Sequence, residues 1–324
     1  MKKILSTLFT TVTVLGASAP SPAFAAYPNK PINFIVTFPA GGMTDVLARH
    51  LANELQDRIG QTVVVQNRGG MGGSIGAKEG ARAPADGYTF TFANVGAMTL
   101  NTVLFKDIGY DPLKDFTPVA GVAAVPNMLV VPANSPYKTL ADLVEDARRN
   151  PGKMSYASTG TGASPWLGTE LLKSMAKVDI LEVPYKGAGP ALMDTIAGRT
   201  AFVFNAVAIS TEYIKSGKIR ALGVSSAKRI GVAPDVPTIA EQGYPGFDVV
   251  AWYGLWAPAG TPADIVQRVN QEVEKILASP ETREKFNSMG AEVMNGSVKD
   301  FGDYHKAEFD RWTKFVRQSG IQPQ

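Results

Sequence analysis

Residues Phe38-Pro39-Ala40-Gly41-Gly42-Met43-Thr44-Asp45 form a segment able to hold an anion. An apolar, β-branched run from Ile32 to Val36 precedes it, as a buried strand would. Leu47, Leu51, Leu55 and Ile59 follow at every fourth position, one face of a helix. Thr44 is placed to cap that helix, and Asp45 suits its positive end. Gly41 and Gly42 therefore fall in a strand-to-helix turn with backbone N–H groups aimed outward, a geometry that binds anions. The same pair would serve a tight loop that needs glycine for positive φ and nothing more.

A second motif competes. Gly72-Gly73-Ser74-Ile75-Gly76 matches the G-x-S-x-G pattern of a nucleophilic serine, which makes a secreted serine hydrolase using Ser74 the rival reading. That chemistry needs the serine on a sharp turn directly off a strand. Here the strand ends near Gln66 and seven residues intervene. A triad also needs a histidine, and only His50 and His305 exist, both on helical faces. No transition-metal set is available without cysteine or an H-E-x-x-H motif. Asp107, Asp111 and Asp115 are framed by Pro112 and Pro118 as turn residues, unlike a calcium loop. Gly160-Thr161-Gly162 lacks the third glycine of a dinucleotide fingerprint, since Pro165 stands there. The expectation is a chain with no catalytic residue, no metal and no cofactor.

The N-terminus sets the compartment. Lys2 and Lys3 start it, an apolar stretch from Ile4 to Leu15 follows, and Ala23-Phe24-Ala25 ends it. This is a secretory signal with cleavage after Ala25, too short to span a bilayer. A periplasmic location is expected. Removing residues 1–25 leaves 324 − 25 = 299 residues, enough for two domains, and takes the net charge from +3 to +1. That near-neutral balance argues against a nucleic-acid partner.

The elements that must position these residues alternate. Strands are expected at Ile32–Val36, Thr62–Gln66, Thr89–Ala93, Met128–Val131, Met154–Ser158, Ile180–Val183, Ala201–Phe204 and Ile219–Val224. Helices lie between them, including one capped by Ser164 and opened by Pro165. Short loops between alternating elements mean an α/β fold with mainly parallel sheets. Three helices starting near Thr261, Ser279 and Ser297 close the chain and need an apolar partner, which the N-terminal sheet supplies. The expected division is a first domain of residues 26–126 and 252–324 and a second of 127–251. Two crossings, near Pro126 and near Val250–Trp252, form a hinge over a cleft.

In order along the chain, the residues resemble those of a known family. The matching pieces include Val36-Thr37-Phe38-Pro39-Ala40-Gly41-Gly42-Met43-Thr44-Asp45 and Gln66-Asn67-Arg68-Gly69-Gly70-Met71-Gly72-Gly73-Ser74. Pro84-Ala85-Asp86-Gly87-Tyr88, Val183-Pro184-Tyr185-Lys186-Gly187 and Trp252-Tyr253-Gly254-Leu255-Trp256-Ala257-Pro258 continue the match. The chain resembles the Bug-type periplasmic solute-binding receptors of tripartite tricarboxylate transporters, the TctC-like family. The resemblance implies a two-lobed, Venus-flytrap, periplasmic-binding-protein fold. It implies a small organic carboxylate or dicarboxylate held between the lobes and two membrane subunits as partners. It leaves open whether the receptor feeds transport or presents its ligand to a sensor kinase; a monomer is expected.

The ligand loops carried over are Phe38 to Asp45 and Ser158-Thr159-Gly160-Thr161-Gly162-Ala163-Ser164, with Tyr185, Asn205 and Ala206 added. Three positions depart from the family's pattern. Trp166 and Glu182 stand where His is common, and Asn205 stands where many members have Asp. Asn205 offers a neutral donor and acceptor instead of a counter-charge for a ligand ammonium, and Trp166 is available as an apolar wall.

Overall fold

The computed structural model describes residues 27–185, 187–321 and 323. The expected leader, residues 1–25, and Lys186 of the resemblance motif lie outside the described residues. The chain begins with β1 (Ile32–Val36), α1 (Met43–Ile59), β2 (Val63–Asn67), α2 (Ser74–Ala81), β3 (Thr89–Asn94), a π-helical turn at Gly96–Leu100 and α3 (Asn101–Leu104). A long strand, β4 (Phe116–Pro132), leads into α4 (Leu140–Arg149), β5 (Ser155–Ser158), α5 (Ser164–Ala176) and β6 (Leu181–Pro184). Next come α6 (Ala188–Ile196), β7 (Phe202–Ala206), α7 (Val207–Lys215) and β8 (Ile219–Val224). The chain closes with β9 (Val250–Pro258), α8 (Ala263–Ala278), α9 (Pro280–Ser288), a short β10 (Glu292–Val293) and α10 (Val298–Gln318).

Local sequence explains most of these bounds. β1 buries one face completely, with Ile32, Phe34 and Val36, and the other in part, with Ile35 buried beside half-buried Asn33. The four-residue stripe of α1 buries Leu47, Leu51 and Leu55, and Gly60 at φ +68° ends the helix in a left-handed cap. Each such buried side chain contributes roughly 1.5–3 kcal/mol.

The strands run in the order β2-β1-β3-β9-β4-β7-β5-β6, with β10 and β8 also on β4. β4 pairs with β9 from Phe116 to Pro126, with β7 from Asn127 to Val130 and with β8 from Met128 to Pro132. Its partners thus change at Pro126–Asn127 and divide the sheet into two halves. The expected parallel pairing holds in the outer strands, β1 with β2 and β3, and β5 with β6 and β7. The crossing strands β4 and β9 add antiparallel pairs between them.

Sequence reading found only Met128–Val131 of β4 and did not find β9 as a strand. Pro118 and Pro126 lie inside β4, and proline disfavours a strand interior. The register shifts between Pro118 and Ala120, which absorbs the first of them. The closing helix α10 packs on this crossing. Phe301 lies against Trp256 with ring centroids 5.0 Å apart. Glu308 accepts from the indoles of Trp252 (3.0 Å) and Trp312 (2.8 Å).

Candidate functional site

A cavity of about 440 Å³ opens where the two halves of the sheet meet. Its walls come from strand ends and the loops that follow them. Phe38 and Met43 follow β1, and Asn94 and Val95 end β3. Val125 and Asn127 flank the partner change in β4, and Ala251 and Tyr253 lie on β9. The other side is the Thr159–Pro165 loop, Ala188 of α6, and Asn205 and Ala206 at the end of β7. A larger groove of about 620 Å³ lies outside this junction, beside α2 on the β1–β2–β3 face, and carries Lys78, Glu79 and Arg82. Ligands of open α/β sheets sit beyond the carboxyl ends of strands, which favours the smaller, interior cavity.

Among the described residues, no Asp, Glu, Lys, Arg or His side chain lines that cavity. Its electrostatics come from backbone. Four helices start at or beside it, with Gly42, Ala163, Gly187 and Ala206 as N-terminal caps of α1, α5, α6 and α7. None of the four has a side-chain cap bond. Their first-turn N–H groups and dipoles are the positive features of the site.

The first loop is built differently from the sequence expectation. Gly42 caps α1, and Thr44 sits inside the first turn, buried. Gly41 adopts φ +86°, so glycine is required there, but its N–H donates to Asp45 Oδ2 at 2.9 Å. That donor is spent within the loop. Asp45 also accepts from Asn67 at 2.9 Å and pairs with Arg49 at 3.0 Å. Burial opposes its charge, yet the bonds from Arg49, Gly41 and Asn67 prevail and hold its carboxyl below the usual carboxylate range. The Asn67 amide also donates to Phe38 O at 2.9 Å. Asp45 is a clamp that shapes the turn. Phe38 and Met43 reach the cavity; Ala40, Gly41 and Gly42 are exposed, and Thr44 and Asp45 lie beneath the loop.

In the second loop Thr159, Gly160, Thr161, Gly162 and Ser164 line the cavity, whereas Ser158 is fully buried and accepts from Gly160 N–H at 3.2 Å. Ala163 is the cap of α5, so the expected cap, Ser164, is its first helical residue and accepts from Asn127 at 3.2 Å. Gly162 adopts φ +86° and lies against α3. A Cβ there would lie 3.3 Å from Asn101 Oδ1 and from Leu104 Cδ1.

Tyr185 is not among the lining residues; its hydroxyl donates to Asp194 at 2.9 Å. Trp166 is 3% exposed and packs in the core with Leu104 and Phe204, so it forms no cavity wall. Asn205 and Ala206 do line the cavity. Asn205 donates to Ser210 Oγ at 3.3 Å, while its Oδ1, like Thr159 Oγ1, has no partner among the described residues.

Sequence reasoning missed Gly72, Asn94, Val95, Val125, Asn127, Ala188 and Ala251. Asn94 had a usable signal, since it follows an expected strand. The Trp252-Tyr253-Trp256 cluster divides by strand alternation. Tyr253 faces the cavity, and burial pushes its hydroxyl pKa up. Trp252 and Trp256 face α10.

The hydrolase alternative fails on geometry. Ser74 opens α2, is 2% exposed and accepts from Asn101 at 2.8 Å. His50 is bonded to Thr282 and Lys285, and His305 to Met98 O and Trp256. Among the described residues there is no cluster able to hold a metal ion, and no helix is long and apolar enough to cross a membrane.

A family model described as the tripartite tricarboxylate transporter family receptor, TctC, matches residues 47–321. The chain belongs to this family. BugT of Bordetella pertussis is 36% identical over 321 residues, covering 99% of this chain and 98% of that protein. R. palustris Rpa4515, solved with adipate, superposes with a TM-score of 0.82 at 39% identity and covers 92% of this chain and 100% of its own. MatC from Rhodopseudomonas palustris, with bound malate, gives 0.78 at 32% identity over 90% and 100%. TctC receptors are periplasmic solute-binding proteins with the two-lobed binding-protein fold, and this member is a receptor and not an enzyme.

Proposed function

We propose that this TctC receptor captures a small organic carboxylate between its lobes and delivers it to the membrane subunits of a tripartite tricarboxylate-type transporter. The observation that carries the carboxylate is the cavity's lining: neutral among the described residues, and fed by four uncapped helix N-termini. Such a site attracts negative charge and supplies nothing to neutralise an ammonium. The adipate and malate bound by the two solved relatives agree with this class.

In this reading residues 26–126 with 252–324 move as one lobe and 127–251 as the other, turning about Pro126 and Val250–Trp252. Gly162 seats against Asn101 and Leu104 when the lobes meet. The chain reaches the periplasm through a leader cleaved after Ala25. A thermal-shift screen of carboxylates tests the reading. A ligand present at about 100 times its Kd adds roughly 2.7 kcal/mol of stability. A screen in which amino acids or sugars stabilise the protein and carboxylates do not would refute it.

A further inference from the structure

Two polar atoms on one wall of the cavity are buried without partners. Thr159 Oγ1 and Asn205 Oδ1 accept or donate no hydrogen bond among the described residues, and both residues line the cavity. The strand register also brings them level. β5 and β7 run parallel with Tyr156 opposite Phe202 and Ala157 opposite Val203. Extending that register two residues past its last pair, just beyond the end of β5, brings Thr159 level with Asn205. Asn205 is 1% exposed, and its amide nitrogen is held by Ser210. The other lining amides each make a bond, Asn127 donating to Ser164 and Asn94 accepting from Ala97 N–H, and neither leaves a buried atom without a partner among the described residues. Buried polar groups without partners are rare and costly. Two of them on one binding wall mark where the occupant supplies the missing bonds.

We infer that Thr159 and Asn205 read a hydroxyl on the body of the ligand, so that the receptor prefers 2-hydroxy carboxylates to the matching plain acids. The inference rests on the carboxylate reading above. A hydroxyl fits the pair because it donates to Asn205 Oδ1 while accepting from the Thr159 hydroxyl. A methylene leaves both atoms unpaired. A carboxylate oxygen accepts from Thr159 but faces Asn205 oxygen to oxygen. An ammonium satisfies Asn205 and then sits as a cation in a lining without an acid. Were the Asn205 amide turned over, the hydroxyl would accept from its nitrogen and donate to Thr159, with the same preference.

Calorimetry on the protein with succinate, glutarate and adipate, each against both enantiomers of its 2-hydroxy derivative, tests this. The expected result is about a tenfold preference for one hydroxy enantiomer at the chain length that binds best. Thr159→Val and Asn205→Leu should each cut that preference to under about threefold. Thr159→Val keeps the side-chain shape and carries the test if Asn205→Leu does not fold. Equal binding of hydroxy and plain acids at every length would overturn the inference while sparing the carboxylate reading. So would variants that weaken both acids equally. Binding of none of these acids would overturn both.

Discussion

Helices that start at the cavity and helices that start away from it are finished differently. α4 and α10 begin with full capping boxes, Thr139 with Asp142 and Ser297 with Asp300, and α9 begins with Ser279 bonded to Thr282 N–H. α1, α5, α6 and α7 begin with Gly42, Ala163, Gly187 and Ala206 and have no side-chain cap. α2, α3 and α8, which follow Gly73, Leu100 and Pro262, have no side-chain cap either, so the division is a tendency of the site and not a rule of the whole chain. A missing cap costs about 0.5–2 kcal/mol of helix stability. At the cavity that stability is withheld four times over, and the donors left open are those an anionic ligand would take.

The strongest way to break the contrast is to finish a cavity helix. Ala163 has an extended backbone, φ −77° and ψ 150°, which accepts an aspartate cap. Ala163→Asp should hold or raise the melting temperature and weaken carboxylate binding about a hundredfold, equivalent to the roughly 1.5–3 kcal/mol of a charge-assisted bond plus repulsion. Calorimetry beside a thermal melt reads both effects. Next in size is Gly42→Pro. Gly42 has φ −82° and room for a Cβ, so proline removes its donor with little strain. Affinity should fall about tenfold; unchanged affinity in a folded variant would remove the first loop from the site.

Opening a capped helix should do the opposite. Ser297→Ala should cost about 1 kcal/mol in denaturant unfolding and leave ligand affinity alone. The smallest effect is in pH. Among the described residues the lining holds one titratable group, Tyr253, and its pKa is raised, so affinity for a fully ionised acid should stay flat from about pH 6 to about pH 9. Stability should not. Burial holds the pKa of His305 below its ordinary value, and burial with nearby Lys285 does the same for His50. The unfolded chain then binds more protons, so stability is full above about pH 6.5 and falls as pH drops below it. Denaturant titrations across that range check the sign.

The order of elements was open to sequence reading wherever local signals agreed. The β1 run, the four-residue stripe of α1 and the Ser297 cap each combine pattern with a terminator. The two strands that build the junction were not. β4 carries Pro118 and Pro126, and β9 is apolar nearly throughout, so neither shows an alternating pattern. The cavity inherits this division. Its second loop follows a strand and is rich in glycine, so it was legible. Val125, Asn127 and Ala251 owe their place to the way two strands cross, which no local pattern encodes. Asp45 reads as a helix-end acid in sequence, and only the fold brings Gly41, Asn67 and Arg49 onto its carboxylate.

The central claim is that neutral backbone donors, with no acidic partner, form the ligand's electrostatic environment. Matched pairs probe it most directly: succinate against aspartate, and glutarate against glutamate, titrated into the protein by calorimetry. Each amino acid adds one ammonium to its diacid, and that cation has no acidic lining residue to meet among the described residues. The account predicts tighter binding of the plain diacid in both pairs. Tighter binding of the amino acid in both pairs would contradict it.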